Sequence, residues 1–318
     1  MSIIAYSLSD NLNHKLEKLE ELRKELHVAP IDRKRLLYYQ WSIRTMRIKD
    51  ALFQDELTTS LSEINKIIIS SKVQSAKEKK IIGIKKAFDF IRYEWYVSSE
   101  KVTFEVLLKL NTYINGVNRN TSSNLMKRQF KDQFNQLFDY LNIGNEHPVI
   151  QAGICYSQIL MNKDLELESK KIIATLHAYV FLYKYGYDFR ELLNIEAEWI
   201  KNTDEHDYVL KTAQEYNNIT TWLEYFTDVL ISQTSQILQK MNDSSNNPIF
   251  STRLLSLNSR QREIIQMLED PKSRITNKQV QKKFSVSQIT ASRDLAKLTI
   301  VGVLFSHGKG RSTWYSKT

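Results

Sequence analysis

Leucines at positions 8, 12, 16, 19, 22 and 26 recur at spacings of three and four, with Glu and Lys between them. That period predicts an amphipathic helix, closed by Val28-Ala29-Pro30. Its apolar stripe is read as packing on the protein's own core. A dimer-forming coiled coil is the alternative, for which three heptads are short. From Asp32 to about Lys240 similar patterns follow one another with short polar breaks, over residues 78–97, 103–114, 122–141, 147–160, 166–185 and 220–241. No stretch sustains the period-two alternation of a half-buried strand, and nothing suggests a parallel sheet. A polar, proline-ended segment, Asn242-Asp-Ser-Ser-Asn-Asn-Pro248, then reads as a linker. The division is an N-terminal helix over 1–31, a helical domain over 32–241, a linker over 242–256 and a last domain over 257–318.

Beyond the linker the pattern changes. Asn258 or Ser259 caps a helix with Ile264, Ile265 and Leu268 on one face, ending at Asp270-Pro271. Thr276 caps a second helix over 277–283, with Val280 and Phe284 inward. Ser287, after the turn Ser285-Val286, caps a third that runs to about Thr299. Ala291, Leu295 and Leu298 share one face of it; Thr290, Arg293 and Lys297 share the opposite one, and Gln288 stands in its first turn. Val303-Leu304-Phe305 and Ser312-Thr-Trp-Tyr315 are strand-like runs flanking His307-Gly-Lys-Gly-Arg311, a tight basic turn in which His307 is read as a solvated loop residue. The expected class is mainly α: an all-helical domain followed by a small α+β domain.

Composition sharpens this in two places. Gly (8) and Pro (4) are scarce, as suits helices better than a turn-rich β protein. The single cysteine, Cys155, rules out an intramolecular disulfide and a cysteine zinc cluster. No signal-peptide pattern opens the chain and no apolar run reaches the roughly 18 residues of a membrane span, so a cytoplasmic protein without a membrane partner is expected. The formal charge of +9 is unevenly placed. Residues 251–318 hold 13 Lys and Arg against 4 Asp and Glu, so the whole excess lies in that last fifth. Such asymmetry is built to meet a polyanion.

The run from Phe284 to Leu295, followed by Leu298, Gly302-Val-Leu304 and Gly310-Arg-Ser-Thr-Trp-Tyr315, resembles the winged helix-turn-helix of DeoR-type and related bacterial regulators. The resemblance implies double-stranded DNA as partner and a third helix that reads bases. Ser287, Gln288, Thr290, Arg293 and Lys297 then form the recognition surface, and Lys309 and Arg311 the wing tip. It also implies a homodimer spanning two half-sites, in a transcriptional regulator.

The helical domain resembles the Fic/DOC family, through His147-Pro-Val-Ile-Gln-Ala-Gly153, Leu176 to Gly186-Tyr-Asp188, Tyr208 and Ile219-Thr-Thr-Trp-Leu-Glu-Tyr-Phe226. Members of that family transfer AMP or related groups to protein hydroxyls through a loop of pattern HPFxxGNGR. The corresponding window is Asp164-Leu-Glu-Leu-Glu-Ser-Lys-Lys-Ile172. It lacks the histidine base, the glycines and the arginine together. Asp164, Glu166, Lys170 and Lys171 are the polar remnants, with the two lysines read as a solvated helix start. The family's inhibitory [ST]xxxE[GN] helix has its nearest counterpart in Thr45-Met-Arg-Ile-Lys-Asp50, with Lys49 in the glutamate's place. A pseudoenzyme without cofactor or metal is expected, its helical domain serving dimerisation or the sensing of a ligand or protein effector. The alternatives are an active but diverged Fic-type nucleotidyl transferase and a protein-binding adaptor. The histidines are scattered without HExxH spacing, and no GxxxxGK[ST] or GxGxxG occurs. Tyr179, Phe181, Tyr183, Tyr185, Tyr187 and Phe189 are read mostly as core.

Overall fold

The computed structural model describes residues 5–69, 73–96, 98, 100–116, 128–143, 146–163, 165, 167–242, 257–268, 273–300, 303–308 and 313–317, apart from the side chains of Lys34, Ile69, Arg128, Gln129, Ile300 and Lys317. The N-terminal leucines form α1 (Asp10–Val28), capped by Ser9, whose hydroxyl accepts the Leu12 N–H at 3.0 Å. Leu12, Leu16, Leu19 and Leu26 are buried, Leu22 packs beside them, and Leu8 lies exposed before the helix. The stripe meets α11 (Thr220–Asn242) and so belongs to the main core. Lys15 to Asp228 at 2.5 Å clips the pair on its wet side.

Around this pair stand α2 (Arg33–Gln54), α3 (Leu61–Ile69), α4 (Ala76–Asp89), α5 (Phe104–Asn115) and α6 (Arg128–Ile143). Two more follow, α9 (Ile195–Lys201) and α10 (Thr203–Glu215). At the centre lie α7 (Pro148–Met161) and α8 (Lys170–Lys184), buried along most of their lengths. A helix apolar on all sides must be enclosed by others, which puts this hairpin in the middle. Proline at the first position and His147 as N-cap start α7 cleanly. At Gly153 α7 crosses α11 so closely that a Cβ would lie 2.8 Å from Leu223 Cδ2, and Trp222 Nε1 donates to the Gly153 carbonyl at 2.8 Å. The expected helix over 166–185 starts later, at Lys170. That over 78–97 is α4 running on into a π-helical turn, Phe90–Trp95, anchored by Trp95 Nε1 on the Val180 carbonyl. Among the described residues no helix is long and apolar enough to cross a membrane.

The chain after residue 257 has its own core, built on Leu257, Ile264, Ile275, Val280, Leu295 and Leu298. Here α12 (Ser259–Met267), α13 (Asn277–Phe284) and α14 (Gln288–Ile300) accompany three short strands, β1 (Ile275–Thr276), β2 (Leu304–His307) and β3 (Trp314–Lys317). The strands form an antiparallel sheet in the order β1-β3-β2, with Ile275 opposite Tyr315 and His307 opposite Trp314. Of the expected linker only Asn242, the end of α11, is described; residues 269–272, where α12 was expected to stop, also lie outside the description. The two parts of the chain touch where Phe305 of β2 sets its ring against Trp41 of α2, centroids 6.0 Å apart, and where α14 lies beside α3.

Candidate nucleic-acid interface

Two capping boxes set the geometry of the second core. Asn258 pairs reciprocally with Gln261 at the start of α12, and Thr276 with Gln279 at the start of α13. Ser285, in the left-handed conformation (φ 50°), ends α13 and turns the chain. Ser287 Oγ then accepts the Thr290 N–H at 3.2 Å and caps α14. Asn277 reaches across from α13 to the Gln288 carbonyl and to Ser292 Oγ, fixing how the third helix leaves the second.

Ala291, Leu295 and Leu298 are fully buried on the inner face of α14, as the pattern required. Asp294 joins them, although its charge gave no hint of burial. Burial alone would raise its carboxyl, but hydrogen bonds from Arg260 Nε (2.5 Å) and Gln261 Nε2 (2.6 Å) hold it below the usual range. It staples α14 to α12. On the outer face Ser287, Gln288, Ile289, Ser292, Arg293 and Ala296 are exposed. Thr290 and Lys297 are half-covered at one edge of that arc, and the Thr290 hydroxyl is shared with the cap residue Ser287 at 3.0 Å. The centre of the arc thus falls on Ile289, Ser292 and Arg293. Ile289, 65% exposed, was missed because an apolar residue in an amphipathic pattern reads as core.

His307 corrects the loop reading. It ends β2, stacks on Trp314 with ring centroids 3.9 Å apart, and lies 2.8 Å from Ser316 Oγ. Burial and the charge of Lys85 on α4 hold its pKa below the ordinary value. The Arg274 guanidinium lies over the same Trp314 ring, 5.7 Å from its centroid. Gly308, just after β2, has the left-handed φ of 79° that glycine accepts freely. Lys309 and Arg311 lie outside the described residues.

The other candidate is the segment joining α7 to α8. Leu165 and Leu167 are buried, Ser169 takes the left-handed conformation (φ 56°), and Asn115 holds the Glu168 carbonyl at 2.8 Å. Lys170 is not the solvated residue expected: half-buried, it donates to the Asn162 carbonyl at 2.5 Å, and burial lowers its pKa. Lys171 stays at the surface, 3.6 Å from Asp207. Asp164 and Glu166 lie outside the described residues. His177 sits in α8, but burial pushes its imidazole down to about 4 and Nδ1 faces the Ile173 carbonyl, as in a neutral core residue. The stretch 45–50 does not reach this loop. Arg47 meets Tyr179 and Tyr183 toward the far end of α8, Asp50 accepts from Asn194, and Lys49 is exposed. Of the aromatic run, Tyr179, Phe181, Tyr183, Tyr187 and Phe189 are core and Tyr185 is exposed. Among the described residues no group of three or more His, Cys, Asp and Glu is arranged to hold a metal ion.

The sequence matches no protein-family model and no curated protein. Solved structures do match. One is a Fic family protein from Desulfovibrio desulfuricans G20, which superposes over 98% of this chain and 97% of that one with a TM-score of 0.58 at 11% identity. At that identity the likeness is one of fold: a mainly helical, Fic-like architecture.

Proposed function

We propose that this Fic-like chain is a sequence-specific, double-stranded-DNA-binding transcriptional regulator that acts as a homodimer, with a C-terminal winged helix as its reading head. The observation that carries the reading is the open outer arc of α14. Gln288, Ile289, Ser292 and Arg293 stand exposed on a helix whose inner face is fully packed. The arc belongs to the stretch that holds the protein's whole excess of positive charge. A guanidinium and an amide on such a helix match the hydrogen-bonding edges of guanine and adenine, and an exposed isoleucine matches a thymine methyl. The strand pair β2–β3, stiffened by the His307–Trp314 stack, serves as the wing and presents Lys309 and Arg311 to phosphate.

On this reading the Fic-like part has lost transfer chemistry. A phosphate cradle needs free N–H donors and the transfer needs a base, whereas the described part of the α7–α8 segment turns Leu165 and Leu167 inward and its Lys170 amine is spent on the Asn162 carbonyl. The direct test is selection of bound duplexes from fragmented genomic DNA by the full chain. A recurring motif with two-fold symmetry is expected; enrichment of fragments that share no motif sinks the reading.

A further inference from the structure

Gln40, Arg44 and Arg47 share one face of α2, and Arg92 of the π-helical turn faces them across a small cleft closed by Tyr183 and Glu191. Asp89 also borders it, paired with Lys85. Arg47 lies deepest, 4% exposed, its guanidinium in the corner of the edge-to-face pair of Phe88 and Tyr179, 3.8 and 4.0 Å from the two ring centroids. Its Nη1 donates to the Tyr183 hydroxyl at 2.9 Å, while Nε and Nη2 are buried without a hydrogen-bond partner. Those two nitrogens share one edge of the guanidinium, the pair of parallel donors that grips a carboxylate with two bonds. Leaving both unmade on a buried charge is costly, so a partner is called for.

The buried Glu196 carboxylate offsets the charge of Arg47 without hydrogen-bonding it, and the cleft's own carboxylate does not supply the missing bonds either. Glu191 pairs with Arg92 Nε at 2.7 Å and lies 3.7 Å from Arg44 Nη2, at the outer rim. It is presented by Phe189-Arg190-Glu191, three successive non-glycine residues with φ of 48°, 58° and 63°, a run that L-residues adopt only under strain. Burial pushes the Glu191 carboxyl up to about 7, against the pull of Arg92, so it is poorly held near neutrality. The free volume is about 10 Å³, room for one water, so anything larger enters by displacing this side chain.

We propose that this cleft binds a small carboxylate ligand, whose carboxylate takes the Nε/Nη2 edge of Arg47 and replaces Glu191 between Arg44 and Arg92. The ligand takes the place of the Glu191 carboxylate between Arg92 and Arg44, so another carboxylate fits that place better than a bulkier tetrahedral oxyanion. The site also touches the C-terminal part of the chain, because Arg44 lies 5.8 Å from the centroid of the Phe305 ring of β2. The proposal stands without DNA binding, since occupancy is read on the free protein.

The test is thermal unfolding of the full chain with increasing sodium acetate, against sodium chloride and inorganic phosphate at matched ionic strength. Acetate should raise the midpoint saturably where chloride does not. Glu191→Gln, which removes the competing charge, should tighten acetate at least about threefold. Arg47→Lys, which keeps charge but loses the fork, should abolish the effect. Arg92→Lys gives the same information at the rim if the buried substitution fails to fold. Acetate indistinguishable from chloride in both wild type and Glu191→Gln overturns the proposal and leaves a bridging water as Arg47's partner. A larger effect of phosphate than of acetate, or one unchanged in the lysine variants, overturns it too.

Discussion

Arg293 projects from the exposed arc of α14, where a guanidinium can pair with O6 and N7 of one guanine in each half-site. Arg293→Ala should cost roughly 1–3 kcal/mol on the preferred duplex and relax the choice at one base position. Lys309→Ala should weaken all duplexes about equally and lower the salt slope by about one. Equal losses by both variants on preferred and scrambled DNA, measured by fluorescence anisotropy, would remove the base-reading role. A second prediction concerns Glu196, fully buried on α9, which accepts the Tyr179 hydroxyl at 2.6 Å. Burial pushes its carboxyl up from 4.5 to about 7, against the opposing pulls of Arg47 and Tyr179, with Asp50 adding to the rise. A carboxyl raised on folding contributes most below about pH 4.5, and that contribution is lost as the pH climbs through 7. Glu196→Gln should therefore flatten the fall in stability between pH 5 and pH 8, by on the order of 3 kcal/mol at most. Urea titrations at the two pH values check this, and an unchanged fall counts against it. Arg293 was legible in the sequence because helical period alone places it outward. Arg47, Glu196 and Asp294 were not, since their burial depends on partners far away in the chain.

The helices were the most legible elements, because α1, α5, α7 and α11 each carry a long apolar period and a recognisable start or stop. The Thr276 and Ser287 caps were legible for the same local reason. The π-helical turn after α4 was not: it inserts a residue into the helical ladder to seat Trp95 on the Val180 carbonyl, a long-range demand. The α7–α8 segment was legible only by what it lacks. The burial of Leu165 and Leu167 and the bond from Lys170 to the Asn162 carbonyl depend on the tertiary fold around them. The proposed loss of transfer chemistry carries an expectation at the level of the element. Incubated with labelled ATP, UTP or GTP and magnesium or manganese, the protein should label neither itself nor other proteins. Incorporation that disappears in Lys170→Ala would show that the segment opens and works.

The two parts of the molecule touch through Phe305 on Trp41 and Arg44 and through α14 beside α3, which leaves the outer arc of α14 uncovered. Nothing local predicts this contact, because Phe305 sits in a strand-like run that reads as part of its own sheet. Its effect is to fix the direction in which α14, the proposed reading helix, points relative to the helical part. If the helical parts pair, two reading heads are held at one separation, and a duplex carrying two half-sites at that spacing gains from high effective concentration. The full chain should then bind a two-site duplex tighter than a one-site duplex by roughly 10- to 1,000-fold. Phe305 is half-buried and lies outside the second core, so Phe305→Ala should leave that core folded and one-site affinity within about twofold. It should cut most of the two-site advantage and broaden the range of tolerated spacings, because a head no longer held by this contact spends less time at the right separation. Titrations against duplexes with stepwise half-site spacing measure both quantities. Should Phe305→Ala keep the wild-type advantage and spacing preference, the contact does not set the heads' geometry, and orientation must come from the linker or the DNA itself.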